Sequence, residues 1–219
     1  GLGDVYKRQA LESHRRAGRA IAEGRFKEQI LPLTVKQGRA EKLFDTDEHV
    51  RPDVTLSDLE KLRPAFSKQG SVTAGNASGI NDGAAALVLM EENAATRRGV
   101  TPLARILASG LGGVEPGVMG LGPVPAVNQA LERAGLKVGD IDIIESNEAF
   151  AAQACAVGDR LGFDPARVNP NGGAIALGHP IGASGAIILV KLVYELRRVG
   201  GRYGPVSYTH LTLPTTPYV

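Results

Sequence analysis

Hydrophobic positions first recur at helical spacing from Ala10 onward. Leu11, Ala17, Ile21 and Ala22 share one side, while Arg15, Arg16, Arg19 and Arg25 are spread around the rest, a pattern that predicts an amphipathic helix. Glu12, Glu23 and Glu28 interleave with the arginines, so this reads as a solvated face rather than a basic binding stripe. Residues 30–35 form a short strand-like run. Residues 37–64 are polar and charged enough to be a surface excursion, with a helix near 56–62. After Ser71 the pattern becomes regular: a strand over 84–90, a helix over 91–98, a strand over 103–109 and a helix over 125–134. A strand over 141–145, a helix from 148 to about 161, a short extended piece at 167–169 and a helix over 184–199 follow. Such alternation predicts an α/β layered fold with helices on the sheet faces. Residues 1–9 and 205–219 lack sustained periodicity and are expected to be non-native linker and tail, outside the fold.

Composition narrows the class. Of 219 residues, 43% are hydrophobic and 22% charged, with 25 Lys and Arg against 23 Asp and Glu. A chain of this length and balance can bury a core, and it resembles neither a disordered segment nor a nucleic-acid arm. The longest apolar run, 84–90, is far below the roughly 18 residues of a membrane span. No basic-then-apolar signal pattern opens the chain, so a cytoplasmic location with no membrane partner is expected. A single cysteine, Cys155, allows neither an internal disulfide nor a cysteine-rich metal site. It lies in an Ala-rich helical pattern and reads as a buried structural thiol.

The 28 glycines concentrate where chemistry is expected. In residues 169–185, five glycines and two prolines surround one histidine, His179, and Ser184 can cap the apolar helix that follows. Gly173 and Gly178 match the outer glycines of a triphosphate loop, but His179 and Pro180 stand where Lys and Ser or Thr are required. A glycine-encased histidine near a helix start can stabilise a developing oxyanion, and it can equally be a structural hydrogen-bonder. A second stretch, Ile141 to Gln153, carries a buried strand into a Ser146-Asn147-Glu148 corner, where open α/β sheets present ligand-facing groups. Helix capping would also account for Asn147. A third, Val72 to Gly83, holds Ser78 among small residues that let a ligand lie against backbone. Turn chemistry explains Asn81-Asp82-Gly83 without function.

Asn76-Ala77-Ser78-Gly79-Ile80-Asn81-Asp82-Gly83, Asn147-Glu148-Ala149-Phe150 and Gly172-Gly173-Ala174-Ile175-Ala176-Leu177-Gly178-His179-Pro180-Ile181-Gly182-Ala183-Ser184-Gly185 resemble, in order and spacing, the motifs of thiolases. The resemblance covers about residues 10–204. It implies a layered α-β-α-β-α sandwich present here in part. Residues 10–81 would be part of the lid, 82–102 the returning segment of the first half, and 103–204 most of the second half. It also implies acyl transfer between coenzyme A thioesters, condensing two acetyl-CoA or cleaving acetoacetyl-CoA, with acyl-CoA and coenzyme A as partners. No cofactor, metal or nucleic acid is expected, and the full-length protein would be a homo-oligomer.

On this pattern His179 and a water held by Asn147 would stabilise the thioester oxygen, within the turn made by Gly178. Ser78 would contact the pantetheine arm and Arg51 the nucleotide end, while Met119 and Phe150 would line the acyl pocket. Arg51 would otherwise be an ordinary solvated arginine. The family's two reactive cysteines have no counterpart: one belongs to an early region without an equivalent here, the other to a segment just past Tyr203-Gly204, where this sequence runs into Pro205-Val206-Ser207-Tyr208. The chain is therefore expected to be inactive alone. A non-catalytic acyl-CoA-binding protein and a thiolase for longer 3-ketoacyl chains are the alternatives. A ketoacyl synthase relative needs two site histidines, and His14, His49 and His210 fall in a helix, the lid and the tail.

Overall fold

The computed structural model describes residues 1–208 and 211–217; the remainder of the expected tail, His210 included, lies outside the described residues. Four strands form the principal sheet, in the order β3 (Ala104–Ile106), β6 (Leu211–Pro217), β5 (Gly204–Tyr208), β4 (Glu145–Ser146). β4 and β5 run parallel, with Glu145 opposite Val206 and Ser146 opposite Ser207, while β6 is antiparallel to both β5 and β3. A parallel bridge between Ile144 and Val168 extends the pairing beyond β4.

Helices cover both faces. α7 (Ser184–Val199) buries Ile188, Leu189, Leu192, Val193 and Leu196 against Ile143 and Val206. On the other face α4 (Pro123–Ala134) and α5 (Ala151–Leu161) pack Val127, Leu131, Val157 and Leu161 against Ile141 and Ile144. The alternation of strand and helix thus gives the layering it predicts, because each sheet face buries one apolar helix stripe. A further cluster of Ala10, Leu11, Leu59, Ala151 and Ile175 joins α1 (Leu2–Ala22), α2 (Leu56–Glu60), α5 and the short α6 (Ala174–Leu177). Outside this body stands a hairpin of β1 (Leu33–Gln37) and β2 (Ala40–Phe44), exposed along both strands.

Several expectations are corrected. Both ends carry described structure: α1 begins at Leu2, with Tyr6 packed against the last cluster, and Pro205, Val206 and Ser207 are buried in β5. Arg16 and Arg25 leave the solvated face. Arg16 donates to the Val168 carbonyl at 2.6 Å and Arg25 to Asn171 Oδ1 at 2.7 Å. Residues 84–90 are not a strand. Their backbone has no ladder partner among the described residues, and without one the apolar pattern leaves Val88 86% and Leu89 70% exposed. A short helix, α3 (Glu92–Arg97), follows as expected. Residues 86–90 border an open trough of about 720 Å³ that Leu103, Ile106, Leu189 and Val193 also line.

The helix expected from residue 148 starts only at Ala151. Phe150 is held extended by a bridge to Ala77, and Ser78 N–H donates to Ala149 O at 3.0 Å. Asn147 is consequently not a helix cap.

Candidate active site

The structure draws the three polar stretches into one place. The 72–83 segment is the bridge between the others: Ala151 N–H donates to Asn76 O at 2.8 Å, and Ile80 pairs with His179. His179 N–H also donates to Asn81 Oδ1 at 3.2 Å. Gly178 has φ +92, and a Cβ there would lie 2.6 Å from Asn81 Oδ1, so only glycine permits this approach.

Asn147 reaches the same place from the sheet. Its N–H continues the β4–β5 ladder to Ser207 O at 2.8 Å, which fixes the side chain at the strand end. Asn169, at φ 46, clamps the preceding residue by accepting from Ser146 N–H at 2.8 Å and donating to Ser146 O at 2.7 Å. The result is an approach of 3.4 Å between Asn147 Nδ2 and His179 Nε2. Asn147 is 4% exposed, and its Oδ1 finds no hydrogen-bond partner among the described residues. The carboxamide therefore keeps an unmet acceptor that the O–H of a water could satisfy. On the other side of the ring, His179 Nδ1 lies 2.7 Å from Ser184 Oγ, and the Tyr208 ring stands edge-on with its centroid 5.8 Å away. Ser184, expected to cap α7, is instead its first helical residue, and Ala183 holds the capping place.

Glu148, and polar groups on α1 and α7 that the sequence reading did not single out, fix this arrangement from behind. Glu148 accepts from Ser13 Oγ at 2.6 Å and Gln9 Nε2 at 2.9 Å, and Ser13 Oγ accepts from Gly173 N–H at 3.0 Å. A Cβ on Gly173 would collide with the Glu148 carboxylate. Helix α1 therefore ties the Asn147 corner to the histidine turn. Lys191, on α7, pairs with Glu145 at 2.7 Å and donates to Gly172 O at 2.6 Å. Burial pushes the Glu145 carboxyl up to about 7, against the pull of Lys191. Buried His14 accepts the Arg51 N–H at 3.1 Å, and its pKa falls to about 4 through burial, then through the charges of His49 and Arg51.

The remaining candidates divide. Ser78 and Phe150 are brought side by side by backbone pairing, and Phe150 meets Phe66 edge-on with centroids 6.1 Å apart. Phe66, 78% exposed, is an aromatic in irregular chain that the sequence reading passed over. The Arg51 side chain is exposed, as is Met119 on the 3₁₀ segment Pro116–Leu121 that packs on α5. Neither side chain makes a hydrogen bond or ring contact with His179 or Asn147. Cys155, on α5, is half-buried rather than buried, and burial, then the Glu148 charge, raises its thiol pKa. Such a thiol stays protonated and is a poor nucleophile. Among the described residues no helix is long and apolar enough to cross a membrane, and no group of His, Cys, Asp or Glu is placed to hold a metal ion.

Two family models match the chain: the thiolase N-terminal domain over residues 6–93 and the thiolase C-terminal domain over residues 100–210. The chain belongs to the thiolase family. It is 62% identical over 199 residues to beta-ketothiolase BktB of Cupriavidus necator, which covers 90% of this chain and 50% of that protein. It is 57% identical over 195 residues to an acetyl-CoA acetyltransferase of Shinella zoogloeoides, covering 89% of this chain and 50% of that one. Among solved structures, the acetyl-CoA acetyltransferase of Bacillus anthracis matches with a TM-score of 0.95 at 46% identity, over 99% of this chain and 56% of that one. Human mitochondrial 3-ketoacyl-CoA thiolase in complex with CoA matches with a TM-score of 0.89 at 40% identity, over 99% of this chain and 55% of that one. The fold is thus the thiolase fold, and this thiolase chain spans about half the length of the relatives it matches.

Proposed function

We propose that this chain supplies the oxyanion-stabilising half of a thiolase-type acyltransferase acting on acetyl-CoA and acetoacetyl-CoA. The 3.4 Å approach of His179 Nε2 and Asn147 Nδ2 carries this reading, because it brings together two polar nitrogen groups from separate elements. When a thiolate attacks a thioester carbonyl, the new C–S bond forms as the C=O pair moves onto oxygen. An N–H on His179 Nε2 and a water held by Asn147 stabilise that oxygen. Removing one such preorganised donor costs roughly 3 to 4 kcal/mol of transition-state stabilisation. Ser78 contacts the pantetheine arm, Arg51 meets the nucleotide end, and Met119 and Phe150 line the acyl pocket.

The attacking thiolate must come from elsewhere. The sole cysteine lies on α5 with a raised pKa, so the chain by itself holds the stabilising groups without the nucleophile and is inactive alone. An assay of the purified chain for acetoacetyl-CoA thiolysis is expected to show no turnover. Turnover that disappears in Cys155→Ala would overturn the reading, since Cys155 would then be a nucleophile after all.

A further inference from the structure

The short helix α6 ends on an open acceptor. Ala176 is fully buried, and the N–H groups that would ordinarily close its carbonyl are spent or missing. Three residues on, His179 N–H donates to Asn81 Oδ1, and four residues on, Pro180 has no N–H. His49 fills the gap, with its Nδ1 2.9 Å from Ala176 O. A carbonyl oxygen only accepts, so Nδ1 carries a proton whether His49 is neutral or charged. The same ring packs on the backbone of Gly79, where a Cβ would stand 2.5 Å from Nε2 and 3.2 Å from Cδ2. Gly79 lies between Ser78 and Ile80, the residue that pairs with His179. Just beyond His49, Arg51 N–H donates to His14 Nδ1 on α1 at 3.1 Å.

We infer that His49 is a positioning residue: its Nδ1–H fastens the segment that carries Arg51 to the end of α6, and so holds Arg51 in register with the His179 turn. Only Leu177 and Gly178 separate Ala176 from His179, and only Val50 separates His49 from Arg51, so this one hydrogen bond is a short link between the two. The Arg51 side chain is exposed, and a long exposed side chain is placed mainly by its backbone. The use of this clamp for a coenzyme A thioester rests on the proposed function, in which His179 meets the thioester and Arg51 the nucleotide end. The clamp itself follows from the contacts.

Calorimetric titration of the full chain with acetyl-CoA and with S-acetylpantetheine, which lacks the nucleotide, tests this. His49→Phe keeps a ring and removes the donor, with His49→Ala in its place should that variant not fold. His49→Asn returns an amide N–H to nearly the position of Nδ1–H. His49→Phe should bind acetyl-CoA roughly threefold to tenfold more weakly, the worth of one hydrogen bond, and S-acetylpantetheine as before. His49→Asn should recover most of that loss, and in an Arg51→Ala background His49→Phe should cost nothing further. No weakening, equal weakening of both ligands, or a full loss that persists beside Arg51→Ala overturns the inference, because His49 would then not act through Arg51. An unsubstituted chain that binds neither ligand sinks the proposed function alone. The clamp is then judged by the Arg51 and Leu177 backbone amide signals of the ¹⁵N-labelled chain, which should move in His49→Phe and return in His49→Asn; signals that stay in place overturn it.

Discussion

Two runs of the chain whose apolar residues predict strands meet opposite fates. Residues 141–145 bury Ile141, Ile143 and Ile144 to 7% exposure or less, whereas residues 84–90 leave Val88 and Leu89 in solvent. The first run has a ladder on both sides, through Val168 and Val206, and a helix on each face. The second has no ladder partner among the described residues and an open trough beside it. A strand pattern is thus a statement about surroundings as much as about the segment, since β-propensity measures fit to a half-buried pleated surface. His179 and Asn147 stand on the first kind of region, where backbone pairing and neighbouring buried polar groups hold them.

The contrast breaks most visibly at the buried ion pair. Lys191→Met keeps the volume but leaves the buried Glu145 carboxyl without its partner, so that it must take up a proton, and leaves Gly172 O without its donor; a loss of about 3–5 kcal/mol is expected in urea unfolding. A loss below 1 kcal/mol would mean that the pair does not hold the histidine turn. Acid should act next. The folded pKa of His14 lies at about 4 against 6.5 for the free side chain, so the unfolded chain takes up the proton first as pH drops. The contribution of His14 is therefore complete above pH 6.5 and is lost as pH falls through 4, amounting to up to about 3 kcal/mol. Unfolding free energies of the unsubstituted chain and of His14→Gln, measured from pH 7 to 4, should converge as the pH falls; parallel curves would remove His14 from the account. At the exposed run, Val88→Thr should change stability by no more than about 0.5 kcal/mol. A larger loss would show that residues 84–90 are packed after all.

Much of this organisation can be read from the sequence. The layered architecture and all of α7 follow from hydrophobic period, and the motif resemblance brings His179, Asn147, Ser78 and Phe150 into consideration together. What the sequence withholds is mostly a matter of partners. The late start of α5 depends on Asn76 and Ser78 capturing Ala151 and Ala149, interactions 75 and 71 residues distant in the chain that compete with local helix formation. Ser13 and Lys191 carried a fainter signal, since each interrupts an apolar helix stripe at a position where its neighbours Ala10, Ala17, Ile188 and Leu192 are buried. A polar residue at a core position asks for a buried partner, and here the partners are Glu148 and Glu145. The strand β5 was passed over because Pro205 and the lack of alternation argue against a strand, yet the parallel edge of β4 accepts it.

The central claim is that the His179 imidazole and the Asn147 carboxamide together receive a thioester oxygen. Its most direct test follows the side-chain ¹H–¹⁵N signals of these two residues as acetyl-CoA, and separately coenzyme A, is added to the labelled chain. Acetyl-CoA is expected to shift both signals together, and coenzyme A, which lacks the carbonyl, to leave them nearly in place. Identical responses to the two ligands, or no response of either residue at concentrations that saturate the chain, would contradict it.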